Sequence, residues 1–355
     1  MTLRKLTLIS VCCALVAVAL HVHFAKPLPA RAPETQAGLT PEANRREPVY
    51  TYLTIPEWYL VWSPEEYAEH MAERPPSEFP FMGHLRQFWQ AYGAVYDATD
   101  TEFDFNFDYH LMIMVIGTST TAEYGLKGGY EHIVGRATEA TRLGGPTQED
   151  KLAAEVAREY VDFIKVEPWY KFDFVSPLRR VWTDTDLTGP DMLRKWERKY
   201  FLTSEYLAKA GYGWLIARGS ESVYEEEKPS TAVLLDRLPT DAAKAQPEVR
   251  LLKETPDGSV LALMPRYQAF TPNAQALARA GVNFIEIAGN RGEIVLSAVV
   301  PESYDTTGLE VLLSQPILTR PGLRRIYVRV QVGKLAEMLR HNDKPAFSLE
   351  HIYDF

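Results

Sequence analysis

Hydrophobic positions change their period along this chain, and each change marks a different kind of structure. From Leu6 to Ala25 the run is apolar, broken only by small polar groups and by His21 and His23. Twenty residues at 1.5 Å each reach about 30 Å, enough to cross a hydrocarbon core. Farther on, Leu152, Val156, Tyr160, Phe163 and Ile164 recur at helical spacing behind Thr147-x-x-Asp150, a capping box, and predict a helix that stops before Pro168. The pattern predicts other helices over 64–72, 84–96, 110–141 and 192–224, with a break in the third at Gly117, Gly125, Gly128 or Gly129. Thr101 to Asp108 alternates aromatic and polar residues, as an extended segment does.

Beyond residue 248 the period becomes two. Segments 249–252 and 260–264 flank Pro256-Asp257-Gly258, a hairpin turn; a helix follows over 272–280 and a strand over 284–288. The order recurs as strands 294–300 and 326–330, a helix 334–341 and a strand 347–353. The expected fold class is therefore α+β: an N-terminal transmembrane helix, an aromatic-rich helical duplication, then a domain of two ββαβ-like units. That last domain would form one antiparallel or mixed sheet covered by helices on one face.

Composition sets the boundaries. Arg4 and Lys5 precede the apolar run and no acid occurs before Glu34, the pattern of a signal peptide or signal anchor. Ala30-Arg31-Ala32 has the form of a cleavage site, but Pro33 follows it and it lies well beyond the run. The length favours a retained anchor over 1–32, and Arg4 and Lys5 a cytoplasmic N-terminus, which would put the body outside the cytoplasm. Residues 33–48 carry a single large apolar side chain, Leu39, and read as a stalk. All seven tryptophans and fifteen of the nineteen tyrosines fall within 49–224, the expected helical domain. An acidic, Pro- and Ala-rich stretch, 225–247, reads as a linker to the α+β domain, 248–355.

Both cysteines, Cys12 and Cys13, lie in the apolar run, so the body can hold no disulfide and use no thiolate as nucleophile or metal ligand. Without residues 1–32, which carry four of the 38 Lys and Arg and none of the 47 Asp and Glu, the body has a net charge of −13. That argues against general nucleic-acid binding. No GxSxG elbow, dinucleotide glycine motif or Walker loop occurs, and His84, His110 and His132 form no HExxH or ExxH pattern. No cofactor and no metal is expected. Asp100, Glu102, Asp104 and Asp108 lack the glycine and spacing of a calcium loop, and Arg266, Arg279, Arg291, Arg320, Arg324 and Arg325 read as partners for the surplus acids rather than as an anion site.

The most specific feature is an internal repeat. Thr121 to Tyr130 matches Thr203 to Tyr212 at an offset of 82, and the match continues through Arg136/Arg218 and Glu139/Glu221, with eight identities in nineteen positions. Trp58-Tyr59 answers Trp169-Tyr170 and Leu85-Arg86-x-x-Trp89 answers Leu178-Arg179-x-x-Trp182, giving two copies, 49–142 and 158–224. On helices, Glu123, Lys127 and Tyr130 share one stripe, and so do Glu205, Lys209 and Tyr212. If the two stripes face each other across a pseudo-twofold axis, these six residues are the candidate ligand-binding site. If not, they are ordinary surface pairs and packing tyrosines.

At Tyr52-Leu-Thr-Ile-Pro-Glu-Trp-Tyr59 and the two EYxxKxGY segments the chain resembles an uncharacterised group of bacterial membrane-anchored envelope proteins over residues 50–225. The resemblance implies a bacterial envelope location, with the anchor crossing the inner membrane once and the body in the periplasm, and transfers no activity or site residue. Two functions follow as expectations. The first is a noncatalytic membrane protein, anchored through 6–25, that binds an envelope protein, lipid or glycan. The second is a membrane-tethered hydrolase of an envelope glycan or lipid that uses carboxylates such as Glu57, Glu123 or Glu205 as acid and base.

Overall fold

The computed structural model describes residues 40–220 and 229–354. The apolar run 6–25 lies outside them, and among the described residues no helix is long and apolar enough to cross a membrane. In chain order the elements are α1 Tyr50–Glu73, α2 Phe81–Thr99, α3 Phe107–Tyr130, α4 Gln148–Ile164, α5 Val175–Thr183, α6 Met192–Ser220, β1 Ser230–Leu235, α7 Thr240–Ala245, β2 Arg250–Glu254, β3 Val260–Pro265, α8 Phe270–Arg279, β4 Phe284–Ile287, β5 Glu293–Pro301, β6 Glu310–Pro316, β7 Leu323–Gln331, α9 Val332–His341 and β8 Ser348–Tyr353. Mixed helix and antiparallel sheet make the fold α+β.

Local chemistry explains most boundaries. Thr147 caps α4 by accepting from the Asp150 backbone N–H, and the Asp150 carboxylate accepts from the Thr147 N–H in return. α1 begins fourteen residues before the expected start, because Pro56 and Pro64 sit inside the helix rather than ending it. Each removes one helical hydrogen bond, and burial of Tyr52, Leu53, Tyr59 and Trp62 offsets that loss. Segment 101–108 is not a strand. It turns into α3, where the Asn106 side chain caps Tyr109 N–H at 3.0 Å and Phe105 stacks on His110 at 4.4 Å. The break expected at a glycine of the third helix comes after them, as a π-helical turn at Glu131–Gly135.

Two compact units divide the described residues: 40–57, 87–119 and 229–354 form a sheet unit, and 58–86 and 120–220 form a helical unit. The division runs through α1, α2 and α3 instead of through 225–247. That stretch, expected as a linker, contributes β1, which lies between β3 and β4. An average over its acids, prolines and alanines hides the short run Thr231-Ala-Val-Leu-Leu235.

The sheet unit holds two four-stranded antiparallel sheets where one was expected. Their orders are β2-β3-β1-β4 and β6-β7-β5-β8. Adding four to each strand number converts the first order into the second, with α8 and α9 in the same place in each half, so the units are βββαβ, the first with the short α7 between its first two strands, rather than ββαβ. The register breaks correspond as well, between Leu251 and Lys253 in β2 and between Val311 and Leu313 in β6. One core gathers both sheets and both helices through Val233, Met264, Phe270, Leu296, Ile326, Leu335 and Ile352.

Within the helical unit, elements 93 residues apart share geometry. The 3₁₀ turn Pro76–Glu78 corresponds to Trp169–Lys171. Tyr67, Phe79 and Phe81 form a ring triad with centroids 4.9, 5.8 and 4.9 Å apart; Tyr160, Phe172 and Phe174 form another at 5.3, 5.8 and 4.9 Å. At this offset Glu66 to Trp89 and Glu159 to Trp182 share eight identities, and Trp169 aligns with Pro76. The expected pairing of Trp58-Tyr59 with Trp169-Tyr170 therefore fails, since Trp58 lies inside α1 and Trp169 opens a turn.

Candidate functional site

The Glu and Lys of each EYxxKxGY segment sit four residues apart on one helical face. Their strongest contacts run between helices. Lys127 Nζ lies 2.8 Å from Glu205 Oε1, and Lys209 Nζ lies 2.9 Å from Glu123 Oε1 and 3.1 Å from Glu205. Exchanging α3 with α6 turns the first pair into the second, the reciprocity a twofold relation demands. Lys127 also lies 4.4 Å from the centre of the Tyr67 ring, and Lys209 lies 5.5 Å from that of Tyr160.

Burial alone would raise the Glu205 carboxyl, but Lys127 and Lys209 outweigh it and hold it down to about 2. For Lys127 burial works downward, and Glu205 with Tyr67 overcomes it and raises the ammonium. Glu205, Lys127 and Lys209 thus hold their charges at neutral pH, and the half-exposed Glu123 completes the quartet against Lys209. Tyr130 and Tyr212 stay outside it: Tyr130 stacks on Phe201 at 4.6 Å and Tyr212 on Trp169 at 5.3 Å. Lys127→Met is expected to cost about 2 kcal/mol, because Glu205 keeps Lys209, and Lys127→Met/Glu205→Leu to recover most of it; urea unfolding measures both.

The tyrosine of the first segment leads to a second cluster that the sequence patterns did not single out. Tyr124 Oη lies 2.9 Å from Ser63 Oγ, which lies 3.0 Å from His84 Nδ1, and Glu66 Oε2 lies 3.7 Å from His84 Nε2. Tyr59 Oη also reaches His84 Nδ1, at 3.3 Å. Ser63, Glu66 and His84 are all buried. At the 93-residue offset Ser63 and His84 become Val156 and Pro177, and Val156 is part of an apolar core. The frame does not require the polar group, so the comparison between corresponding positions was the signal that could have found it.

A third cluster lies on the N-terminal half of α6, where Arg194, Lys195, Glu197, Arg198 and Lys199 are all buried. Arg198 reaches Glu131 at 2.8 and 3.2 Å, Arg194 reaches Asp150 at 2.8 Å, and Lys195 and Lys199 reach Glu149 at 3.1 and 3.2 Å. The Gly135 carbonyl, at the end of the π-helical turn, accepts from Arg194 at 3.1 Å. Every cation faces an anion, so this group locks helices together.

The remaining candidates scatter. Glu123 and Glu205 meet on Lys209 rather than in an open cleft, and Glu57 belongs to the sheet unit. The arginines expected against surplus acids include Arg279 on Asp343, Arg291 on Glu286 and Arg325 on Glu350. Among the described residues no group of three or more His, Cys, Asp or Glu is placed to hold a metal ion. The surface is more distinctive. An open apolar groove between α5 and α6 is lined by Val175, Leu178, Trp182, Thr203 and Leu207, and Trp182 Nε1 donates to Thr203 Oγ1 at 3.1 Å.

No family model, curated protein or solved structure matches this chain.

Proposed function

We propose that this chain is a noncatalytic protein of the bacterial envelope, anchored through residues 6–25 with its body in the periplasm, whose internally repeated helical unit serves a binding or structural role. The observation that carries the reading is the exposed apolar face of α5 and α6, set beside charged clusters that are already internally neutralised. Trp182, Trp196, Tyr200 and Leu207 are all exposed there, and exposed aromatic patches of this kind mark interaction surfaces. The test joins location and contact in living bacteria. A photo-crosslinking residue at Tyr200 or, as control, at exposed Leu252 is followed by fractionation and protease treatment of spheroplasts. Expected are a membrane-bound chain digested from outside and a crosslinked product from position 200 alone. Protection from protease would overturn the location, and an uncrosslinked position 200 would overturn the binding role.

The alternative, a membrane-tethered hydrolase, draws on one arrangement: hydroxyl, imidazole and carboxylate in line at Ser63, His84 and Glu66. In that reading Ser63 attacks an ester carbonyl, His84 takes its proton and Glu66 steadies the imidazolium. A fluorophosphonate probe separates the two readings. Stoichiometric labelling that Ser63→Ala abolishes would establish the hydrolase, whereas the noncatalytic reading expects none.

A further inference from the structure

The aromatic face of α5 and α6 has a counterpart earlier in the chain. At the offsets of 93 and 82, Trp182 corresponds to Trp89, Met192 to His110 and Lys199 to Gly117. The counterpart segments belong to the sheet unit, within Gln87–Ser119, and there they are covered. The Trp89 ring lies so close to Gly117 that an added Cβ would meet it at 2.8 Å. His110 is buried beneath Phe105, and Gln87 donates to the Pro316 carbonyl at 2.7 Å.

Among the described residues the later segments have no such cover. Lys199 stands where Gly117 stood, with its Nζ 5.6 Å from the Trp182 ring centre. Trp182 is left 46% exposed, with Leu193 at 59%, Trp196 at 43% and Tyr200 at 67%. Leu193, Trp196, Tyr200 and Leu207 recur at steps of three, four and seven along one face of α6. Trp182 and Trp196 join the two helices into one patch, their rings 6.3 Å apart.

We propose that this patch is an isologous interface with a second copy of the same chain, α5 and α6 of one protomer against α5 and α6 of the other. The proposal rests on the binding role given to this face above and names its occupant. The area favours a copy. Val175, Trp182, Leu193, Trp196, Tyr200 and Leu207 are each about half exposed, and at roughly 100 Å² apiece, with flanking backbone, they offer on the order of 700 Å². That is close to the ~800 Å² each partner buries in a standard interface. Charge permits self-association, because the rim bears both signs, Arg179 with Asp184 and Asp186, all exposed. A twofold operator can therefore set opposite charges against each other.

The test uses the full chain in native membranes. Cys12 and Cys13 are replaced by Ser, and single cysteines are placed in turn at Leu193, Trp196, Tyr200 and Leu207, with Leu252→Cys as an exposed control on the sheet unit. Mild oxidation is expected to give a product of twice the monomer mass from at least one α6 position, at ten or more times the control yield. Adding a distant charge on the same face, Val175→Asp, is expected to abolish it while the far-UV circular dichroism stays unchanged. Monomer throughout, or dimer from the control at equal yield, overturns the interface. Photo-crosslinking from position 200 to a chain of different mass, without the disulfide dimer, overturns the second copy while leaving the binding role intact.

Discussion

Arg198→Ala is expected to destabilise the helical unit by about 3–5 kcal/mol, the largest single-residue effect in this protein. Arg198 is buried, holds Glu131 through two contacts at 2.8 and 3.2 Å, and donates to Glu197 from Nε at 2.8 Å. Its removal leaves Glu131 buried without its cation and Glu197 with Arg194 alone, at 3.2 Å. Breaking one side of such a network costs more than its attraction alone, since the partners stay desolvated. Tyr130, whose hydroxyl faces Glu197 and is raised by burial and by that carboxylate, gives a local readout: its near-ultraviolet signal should change with Arg198→Ala. Urea unfolding measures the loss. A change below about 1 kcal/mol would mean that the network contributes no more than an exposed pair. Replacing Arg198, Glu131 and Glu197 together by Met, Leu and Leu is expected to recover most of the stability.

The second large effect is a pH profile in which two buried groups of the sheet unit oppose each other. Burial holds His351 down to about 3 and raises Asp354 to about 7 against the opposing pull of Arg266. The histidine has a lowered folded value, so its contribution is complete above its unfolded value near 6.5 and is lost as pH falls toward 3. The aspartate has a raised folded value, so its contribution is complete below about 3.9 and is lost as pH rises through 7. The swings are about 4–5 kcal/mol each, and between pH 4 and 6.5 they nearly cancel. Removing one exposes the other. Relative to the wild type, Asp354→Asn is expected to gain stability as pH rises from 4 to 7, and His351→Phe to lose it over the same range. Parallel profiles for all three proteins would show that neither group titrates as its burial requires.

What the sequence determined on its own was local. The Thr147/Asp150 capping box, the Asp257-Gly258 hairpin with Gly258 at φ +87°, and the strands and helices beyond residue 248 other than β6, which the pattern missed, were legible because their causes lie within a few residues. The spacing of Glu123, Lys127, Glu205 and Lys209 was legible too, although not the fact that each lysine takes its closest carboxylate from the other helix. Only the tertiary structure decided the rest. It made β1 an interior strand of a sheet because β3 and β4 bracket it. It split the units inside α1, α2 and α3, where a continuous helical pattern carries no mark of which core receives each turn. It buried Arg194, Lys195, Glu197, Arg198 and Lys199, charges that read as solvated until Glu131, Glu149 and Asp150 arrive from elsewhere in the chain. It also brought Ser63, Glu66 and His84 together and left Trp182, Trp196 and Tyr200 uncovered. Periodicity reports which side of an element is apolar; what lies against that side depends on segments tens to hundreds of residues away, and no local pattern encodes them.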